Sequence, residues 1–199
     1  MRVALDGTPL TLSSGGLLRY TFELSRALAE NFPEDQFVLV SDQAFPAPSG
    51  GPANLERGGG PRTFWERRWW SWGLQRELWR QRAELFHGTD FAVPYLPLRP
   101  SVLSLHDLSP WMDPGWHQAA ERVRRRTPYL IRFGLATLVL TDSEAVRRQV
   151  MERFRIPPQR IVAVPLAASE RFRPVNPPAR RPYFLYAGTL EPRKNLPLL

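Results

Sequence analysis

The sequence has no cysteine, a single lysine and no apolar run long enough to cross a membrane. Without cysteine, the 199-residue chain has no disulfide, no thiol nucleophile and no cysteine-bound metal. The longest apolar candidate, residues 130–140, contains Arg132 and is shorter than the roughly 20 residues of a membrane helix. Asp6 interrupts the apolar run near Met1, so we expect neither a secretory signal nor a membrane span, and a cytoplasmic location follows.

Arginine, in contrast, is abundant, and the formal net charge is +8. An excess of positive charge indicates a partner that carries negative charge. Guanidinium groups bind phosphate oxygens in pairs, so phosphate is the group that this composition favours. Nucleic acid, an anionic membrane surface and a phosphorylated small molecule all satisfy this condition, and charge alone does not choose among them.

Short apolar runs alternate with helical patterns along most of the chain. The predicted strands cover residues 2–5, 37–40, 85–87, 102–105, 137–140 and 161–164. The predicted helices cover residues 17–28, 64–82, 118–133 and 143–154, and the Pro- and Gly-rich stretch 45–61 is predicted as loop. Strands that are apolar throughout are typical of parallel sheets covered on both faces. The sequence therefore predicts an α/β, Rossmann-like fold, a parallel sheet with helices on both faces.

The composition changes near residue 173, which predicts a domain boundary. We assign residues 1–172 to an N-terminal domain and the Pro- and Arg-rich residues 173–182 to a linker. Residues 183–199 are predicted to be the first strand and loop of a second, incomplete domain, with the strand at Tyr183–Ala187.

Polar residues follow several predicted strands at the point where each strand ends. Ligands of open parallel sheets bind outside the carboxyl ends of the strands, so these side chains are candidates for one site. They are Asp6, the segment His87-Gly88-Thr89-Asp90, the pair His106-Asp107 and the segment Thr141-Asp142-Ser143. A histidine at a strand end can donate to a substrate hydroxyl or phosphate, and the adjacent Asp107 would hold the tautomer of His106. The alternative is a purely structural role, with His106 satisfied by neighbouring backbone.

Two further segments have the character of phosphate sites. Gly15 and Gly16 precede a helix, where backbone N–H groups favour an anion, although the pair is equally consistent with a turn that needs positive φ. Arg193 and Lys194 follow the predicted strand and a glycine turn, and their alternative is an exposed charge pair.

In combination, these motifs resemble glycosyltransferase family 4, whose members have the GT-B fold. The resemblance extends over nearly the whole chain, with the motifs in the family's order and spacing. It is carried by Gly15-Gly16 with Arg19-Tyr20, His87-Gly88, His106-Asp107, Thr141-Asp142-Ser143-Glu144 and the segment 188–196. This chain then corresponds to the N-terminal half of a GT-B fold and the start of its C-terminal, nucleotide-sugar-binding domain.

The resemblance implies a retaining transfer of a sugar from a nucleotide-sugar donor to a glycan or lipid-linked acceptor. His106 is then the catalytic residue and contacts the transferred sugar. The donor phosphates are bound by Gly15, Gly16, Arg193 and Lys194. Further contacts to acceptor or sugar are assigned to Asp6, His87, Asp107 and Ser143. Neither a cofactor nor a metal is expected, because Arg193 and Lys194 stabilise the departing diphosphate.

The donor is expected to be GDP-mannose, because Asp6–Leu10 and Arg19-Tyr20 are similar to mannosyltransferase segments. The family's second domain also supplies acidic residues that hold the donor, and the sequence ends before them. We therefore expect an excised or truncated chain that is inactive by itself.

Trp65, Trp69, Trp72 and Trp79 recur at helical spacing within an arginine-rich segment. Amphipathic helices are usually core elements, so packing with solvated arginines is the favoured interpretation, and peripheral contact with the inner membrane surface is the alternative. Two other functions stay open: a basic nucleic-acid-binding module, and another GT-B enzyme such as a nucleotide-sugar epimerase.

Overall fold

One seven-stranded parallel sheet organises the chain. The computed structural model describes residues 1–46, 50–117, 120–169, 172–174, 182–188, 190 and 194–198. The strands are β1 (Arg2–Asp6), β2 (Gln36–Val40), β3 (Leu55–Arg57), β4 (Leu85–Gly88), β5 (Ser101–Ser104), β6 (Leu138–Thr141) and β7 (Ile161–Ala163). Their order is β3-β2-β1-β4-β5-β6-β7, and every neighbouring pair is parallel. The predicted Rossmann-like α/β fold is confirmed.

Both faces of the sheet are buried, which explains why the strands are apolar throughout. The α-helices are α1 (Gly16–Asn31), α2 (Leu74–Arg80), α3 (Ser109–Met112), α4 (Glu121–Arg132) and α5 (Glu144–Phe154). In β1, Val3 and Leu5 join the core cluster that includes Ala29 of α1, while Ala4 joins the cluster on the opposite face. Consecutive residues of β1 therefore pack into apolar clusters on opposite faces of the sheet.

The strand order reverses between β1 and β4, which creates a crevice at the carboxyl edge of the sheet. From β1 the chain builds outward through β2 and β3, and it then returns to add β4 on the other side of β1. Such a switch point is where open α/β sheets bind ligands, because the loops on its two sides leave in opposite directions. Asp6 ends β1, and Thr89 and Asp90 follow β4, so all three lie at this crevice.

The loop predicted over residues 45–61 contains a strand, and that part of the prediction is wrong. The strand is β3, which pairs with β2 through Phe37 and Leu55 at one end and Leu39 and Arg57 at the other. It lies at the edge of the sheet and has only three residues. Because Leu55 is its only buried residue, β3 has no apolar pattern that separates it from a loop.

The helix predicted over residues 64–82 is broken. It consists of a 3₁₀ turn at Trp65–Arg67, a π-helical turn at Trp69–Gly73 and then α2. At Gly73 a Cβ atom would lie 2.0 Å from the carbonyl oxygen of Glu66, so only glycine allows this close approach. The predicted tryptophan face does not form: Trp69 is buried, while Trp65, Trp72 and Trp79 are more than half exposed.

The strand predicted at residues 183–187 is not formed. These residues are irregular and exposed, with Phe184 and Leu185 among the most exposed apolar side chains of the described chain. A buried parallel strand needs a neighbour on each side, and in the sheet described here these residues pair with neither edge strand. The domain division at residues 173–182 stays a prediction, because residues 175–181 lie outside the described residues.

Among the helices described, none combines the length and the apolar character that crossing a bilayer requires.

Candidate functional site

A cleft of about 780 Å³, here called the main cleft, opens at the carboxyl edge of the sheet. The start of α1 and the loops that follow β4, β5 and β6 supply its walls. Its polar lining consists of Gly15, Gly16, Tyr20, Asp90, His106, Asp107, Ser109, His117 and Asp142. The structure thus brings four of the predicted site residues together here: Gly15, Gly16, His106 and Asp107.

His106 is held at both ring nitrogens by acceptors of the protein. Nδ1 lies 2.9 Å from Oδ2 of Asp142, and Nε2 lies 2.9 Å from the carbonyl oxygen of Thr89. A carbonyl oxygen only accepts, so Nε2 carries a proton, and the carboxylate favours a second proton on Nδ1. Burial alone would lower the pKa of His106, but the hydrogen bonds and the negative charge of Asp142 outweigh burial and raise it.

This geometry changes the chemistry expected of His106. The sequence predicted a direct donor to the sugar, whereas both N–H groups are already engaged within the protein. Acceptors at both ring nitrogens favour the doubly protonated ring, and in that form His106 presents positive charge to the main cleft. Such a charge stabilises negative charge that develops on a bound molecule, and it does so without reorganising.

His87 lies beneath the main cleft and does not line it. Its Nε2 lies 2.9 Å from Oγ of Ser104, which in turn lies 2.8 Å from the hydroxyl of Tyr20. Burial, aided by the charge of His106, lowers the pKa of His87 to about 4, so the ring is neutral near pH 7. The Tyr20 ring meets His106 edge-on, with the ring centroids 4.6 Å apart. His87 therefore supports the His106 wall from below.

The beginning of α1 offers open backbone to the main cleft. Gly15 caps the helix with φ of 119° and no side-chain hydrogen bond to the cap, so the first N–H groups of α1 have no side-chain acceptor there. A Cβ atom at Gly15 or Gly16 would meet nothing within 4 Å. The positive φ requires glycine at position 15, and the N–H groups that follow are open to the main cleft, where a helix N-terminus favours an anion.

Two buried carboxyl groups lie at the switch point between β1 and β4. They line a second, smaller space of about 200 Å³, here called the inner cavity. Asp6 accepts from the backbone N–H and the hydroxyl of Thr8, and burial raises its pKa to about 7. Burial also raises the pKa of Asp90, whose Oδ1 is buried without a partner in the described part of the chain. Asp90 lines both spaces and so connects them.

The remaining predicted residues have other positions. Asp107 accepts from the N–H and the hydroxyl of Ser109 at the start of α3, so it shapes a loop, and it is Asp142 that orients His106. Ser143 caps α5 by accepting from the N–H of Val146. Lys194 is exposed and does not line the main cleft. Arg193 lies outside the described residues.

The sequence placed Asp90 and Asp142 among the polar residues at this rim of the sheet, but it assigned neither of them a role in the site. Both residues follow strands, as Asp6 does, so the rule that ligands bind at the carboxyl ends of parallel strands applies to them as well. It also selects residues that only cap helices, as Ser143 shows, and it does not say which carboxylate meets which histidine. No cluster of metal-ligating side chains occurs in the described ranges.

Comparison with known proteins agrees with this architecture. Residues 14–169 match the model of Glycosyltransferase Family 4, and the chain belongs to that family. Over 137 residues it is 33% identical to the O-antigen chain mannosyltransferase B of Escherichia coli. The match covers 61% of this chain and 35% of that protein, so the chain spans about a third of the relative's length.

Proposed function

We propose that this chain is the acceptor-side part of a retaining glycosyltransferase that transfers mannose from GDP-mannose to a glycan or lipid-linked acceptor. Family membership supports glycosyl transfer in general, and the name of the 33% identical relative supports mannose. The observation that carries the proposal is the pairing, across the main cleft, of the open N-terminus of α1 with the imidazolium of His106.

Each of these two features suits one part of a nucleotide-sugar donor. The N–H groups at Gly15 and Gly16 favour the negatively charged diphosphate. The charge of His106 stabilises the negative charge that grows as the bond between sugar and diphosphate breaks. Because Asp142 and Thr89 hold the ring on two sides, that charge is already in place before the donor arrives.

Lys194 and Arg193 complete the diphosphate site in the family resemblance, and their role is part of the proposal. Lys194 does not line the main cleft, so among the described residues that line it only the histidines are basic and can act against the departing diphosphate. We therefore expect the 199-residue chain alone to be inactive.

A chimera tests the transferase proposal. The second half of the Escherichia coli relative is joined to this chain after residue 182, and transfer is measured with GDP-mannose, UDP-glucose and UDP-N-acetylglucosamine. A bacterial lipid-linked oligosaccharide extract serves as acceptor and the relative itself as positive control. We expect transfer from GDP-mannose, with NMR showing an unchanged anomeric configuration, and a large loss of rate in the His106→Ala chimera.

Several outcomes would contradict this proposal. Transfer from another donor alone contradicts mannose, and an inverted product contradicts retention. Epimerisation of the nucleotide sugar without acceptor favours the epimerase alternative. Full activity of the His106→Ala chimera removes His106 from the mechanism, and activity of the 199-residue chain alone shows that the donor site is misplaced.

The same proposal includes peripheral contact with the inner membrane surface. Phe64, Trp65, Trp72 and Trp79 are all more than half exposed in an arginine-rich segment. Tryptophan and arginine together suit the headgroup region of an anionic bilayer. Flotation with phosphatidylglycerol vesicles checks this contact: replacing the three exposed tryptophans by serine is expected to abolish binding, and unchanged flotation would contradict it.

A further inference from the structure

Four arginines surround a third cavity, here called the arginine pocket. It has a volume of about 340 Å³ and is lined by Arg67, Arg68, Arg122, Arg126, Asp42, Trp69, Trp70, Ser71 and Tyr95. Asp42 is the one carboxylate in this lining. Within the described ranges, none of the four guanidinium groups forms an ion pair with a carboxylate, although other arginines of the chain do. The pocket therefore carries uncompensated positive charge.

The two arginines of α4 are held in place by aromatic groups. Arg126 Nη1 lies 2.5 Å from the hydroxyl of Tyr95, and Arg122 Nη2 lies 3.2 Å from the same oxygen. Arg122 also lies over the Trp70 ring, 5.8 Å from its centroid, and Arg126 lies over the Tyr95 ring at 5.1 Å. Like charges four residues apart on a helix repel, so this pairing weakens α4 unless an anion binds between them.

The arginine pocket is connected to the inner cavity and the main cleft through shared lining residues. Asp42, Trp70, Tyr95, Arg122 and Arg126 line both the arginine pocket and the inner cavity. The inner cavity in turn shares Asp90 with the main cleft. The inner cavity therefore lies between the arginine pocket and the main cleft, and it is the direction in which a molecule anchored at the arginines would approach His106.

We propose that the arginine pocket binds the phosphate or diphosphate group of the acceptor. Naming the ligand an acceptor rests on the proposed transferase function, whereas the anion site itself rests on the pocket alone. Guanidinium groups pair with phosphate oxygens through two parallel hydrogen bonds, which suits a group with several oxygens. Asp90, which lines both the inner cavity and the main cleft, then lies between the anchored phosphate and His106.

Direct binding to the 199-residue chain tests the anion site, with inorganic pyrophosphate as the probe and calorimetry as the readout. The double variant Arg122→Gln/Arg126→Gln is compared with Arg125→Gln/Arg148→Gln, which removes the same charge at exposed positions outside the pocket. We expect about tenfold or more weaker binding in the first variant and little change in the second. Circular dichroism and thermal unfolding confirm that both variants are folded.

A second arm identifies the source of the phosphate. Flotation with vesicles containing phosphatidic acid is measured on the same variants. Loss of both pyrophosphate and vesicle binding in the pocket variant supports a lipid-linked phosphate, and loss of pyrophosphate binding alone supports a soluble phosphorylated acceptor. Equal weakening in the two variants overturns the proposal, because it shows a diffuse basic surface. Tight, salt-sensitive binding of a random oligonucleotide that needs the same two arginines overturns it in favour of nucleic acid.

Failure of this inference is distinguishable from failure of the transferase proposal. Pyrophosphate binding requires neither a donor nor the second domain, so it is measured whether or not the chimera transfers sugar. If the chimera transfers sugar but the 199-residue chain binds no pyrophosphate, the proposed anion site is overturned and the transferase proposal stands. If the chain binds pyrophosphate at the arginine pocket but the chimera transfers no sugar, the anion site is supported. Only the identification of its ligand as a glycosyl acceptor is then overturned.

Discussion

Nδ1 of His106 lies 2.9 Å from Oδ2 of Asp142, although 36 residues separate them in the chain. His106 follows β5 and Asp142 follows β6, and these strands are neighbours in the sheet. Although burial opposes them, this contact and the Thr89 carbonyl at Nε2 raise the pKa of His106 at the wall of the main cleft. The contact leads directly to the first prediction.

Asp142→Asn should lower the pKa of His106. The substitution removes the negative charge and the carboxylate acceptor while preserving the shape of the side chain, and burial then dominates. The measurement is an NMR titration of the His106 ring in the folded chain. Glu144→Gln removes a charge two residues away on the exposed start of α5 and serves as the control. An unchanged His106 titration in Asp142→Asn would contradict the role of this contact.

Asp6→Asn should stabilise the chain in alkaline conditions. The folded-state pKa of Asp6 is raised from 3.8 to about 7, so its neutral form contributes stability that is complete below 3.8 and is lost as the pH rises through 7. Asparagine is neutral throughout, and its amide oxygen can still accept from Thr8. We expect a gain of about 1–3 kcal/mol in the free energy of unfolding near pH 8, and about none near pH 4.

Urea unfolding across this pH range checks the Asp6 prediction, with the exposed Glu152→Gln as the matched loss of one charge. A gain that is equal at both ends of the range would show that Asp6 acts through packing and not through ionisation.

His87→Gln should make the free energy of unfolding depend less on pH below neutrality. The folded-state pKa of His87 is lowered from 6.5 to about 4, so its neutral ring contributes stability above 6.5 that is lost as the pH falls through 4. Glutamine places an amide near the position of Nε2 and has no charge to gain. Thermal unfolding from neutral to mildly acid pH should fall more steeply for the natural chain than for the variant. Parallel curves would refute the buried, neutral state of His87.

Gly15→Ala and Gly16→Ala should have separate effects. Gly15 has φ of 119°, which an L side chain rarely adopts, so alanine there should cost about 1–2 kcal/mol of stability. Gly16 begins α1, and alanine there has space and should leave stability unchanged or slightly higher. If the N–H groups of α1 bind the donor, the Gly16→Ala chimera should nevertheless lose donor affinity. Chemical denaturation and donor titration measure the two effects.

Local sequence predicted much of the sheet because its strands carry their own signal. Strands β1, β2 and β4 to β7 are apolar on both faces, so they were visible without any knowledge of their neighbours. The edge strand β3 was invisible because Leu55 is the one apolar residue of its three, whereas β7, the equally short strand at the other edge, consists of Ile161, Val162 and Ala163. The prediction of one continuous helix over the tryptophan segment was wrong because the tryptophan spacing is helical, whereas the close approach of Gly73 to the carbonyl oxygen of Glu66 interrupts the helix.

The sequence by itself determined the kind of fold, the carboxyl edge as the place of the site, and the glycines that open α1. These are properties of short segments: apolar runs, a glycine pair and polar residues at strand ends. The tertiary structure alone decided that Asp142 and not the adjacent Asp107 holds His106, that Asp6 and Asp90 meet at the switch point, and that arginines of two distant segments share one pocket. Such pairings depend on strand order and on the path of each loop, which local preferences do not encode, because they arise only when the whole sheet has assembled.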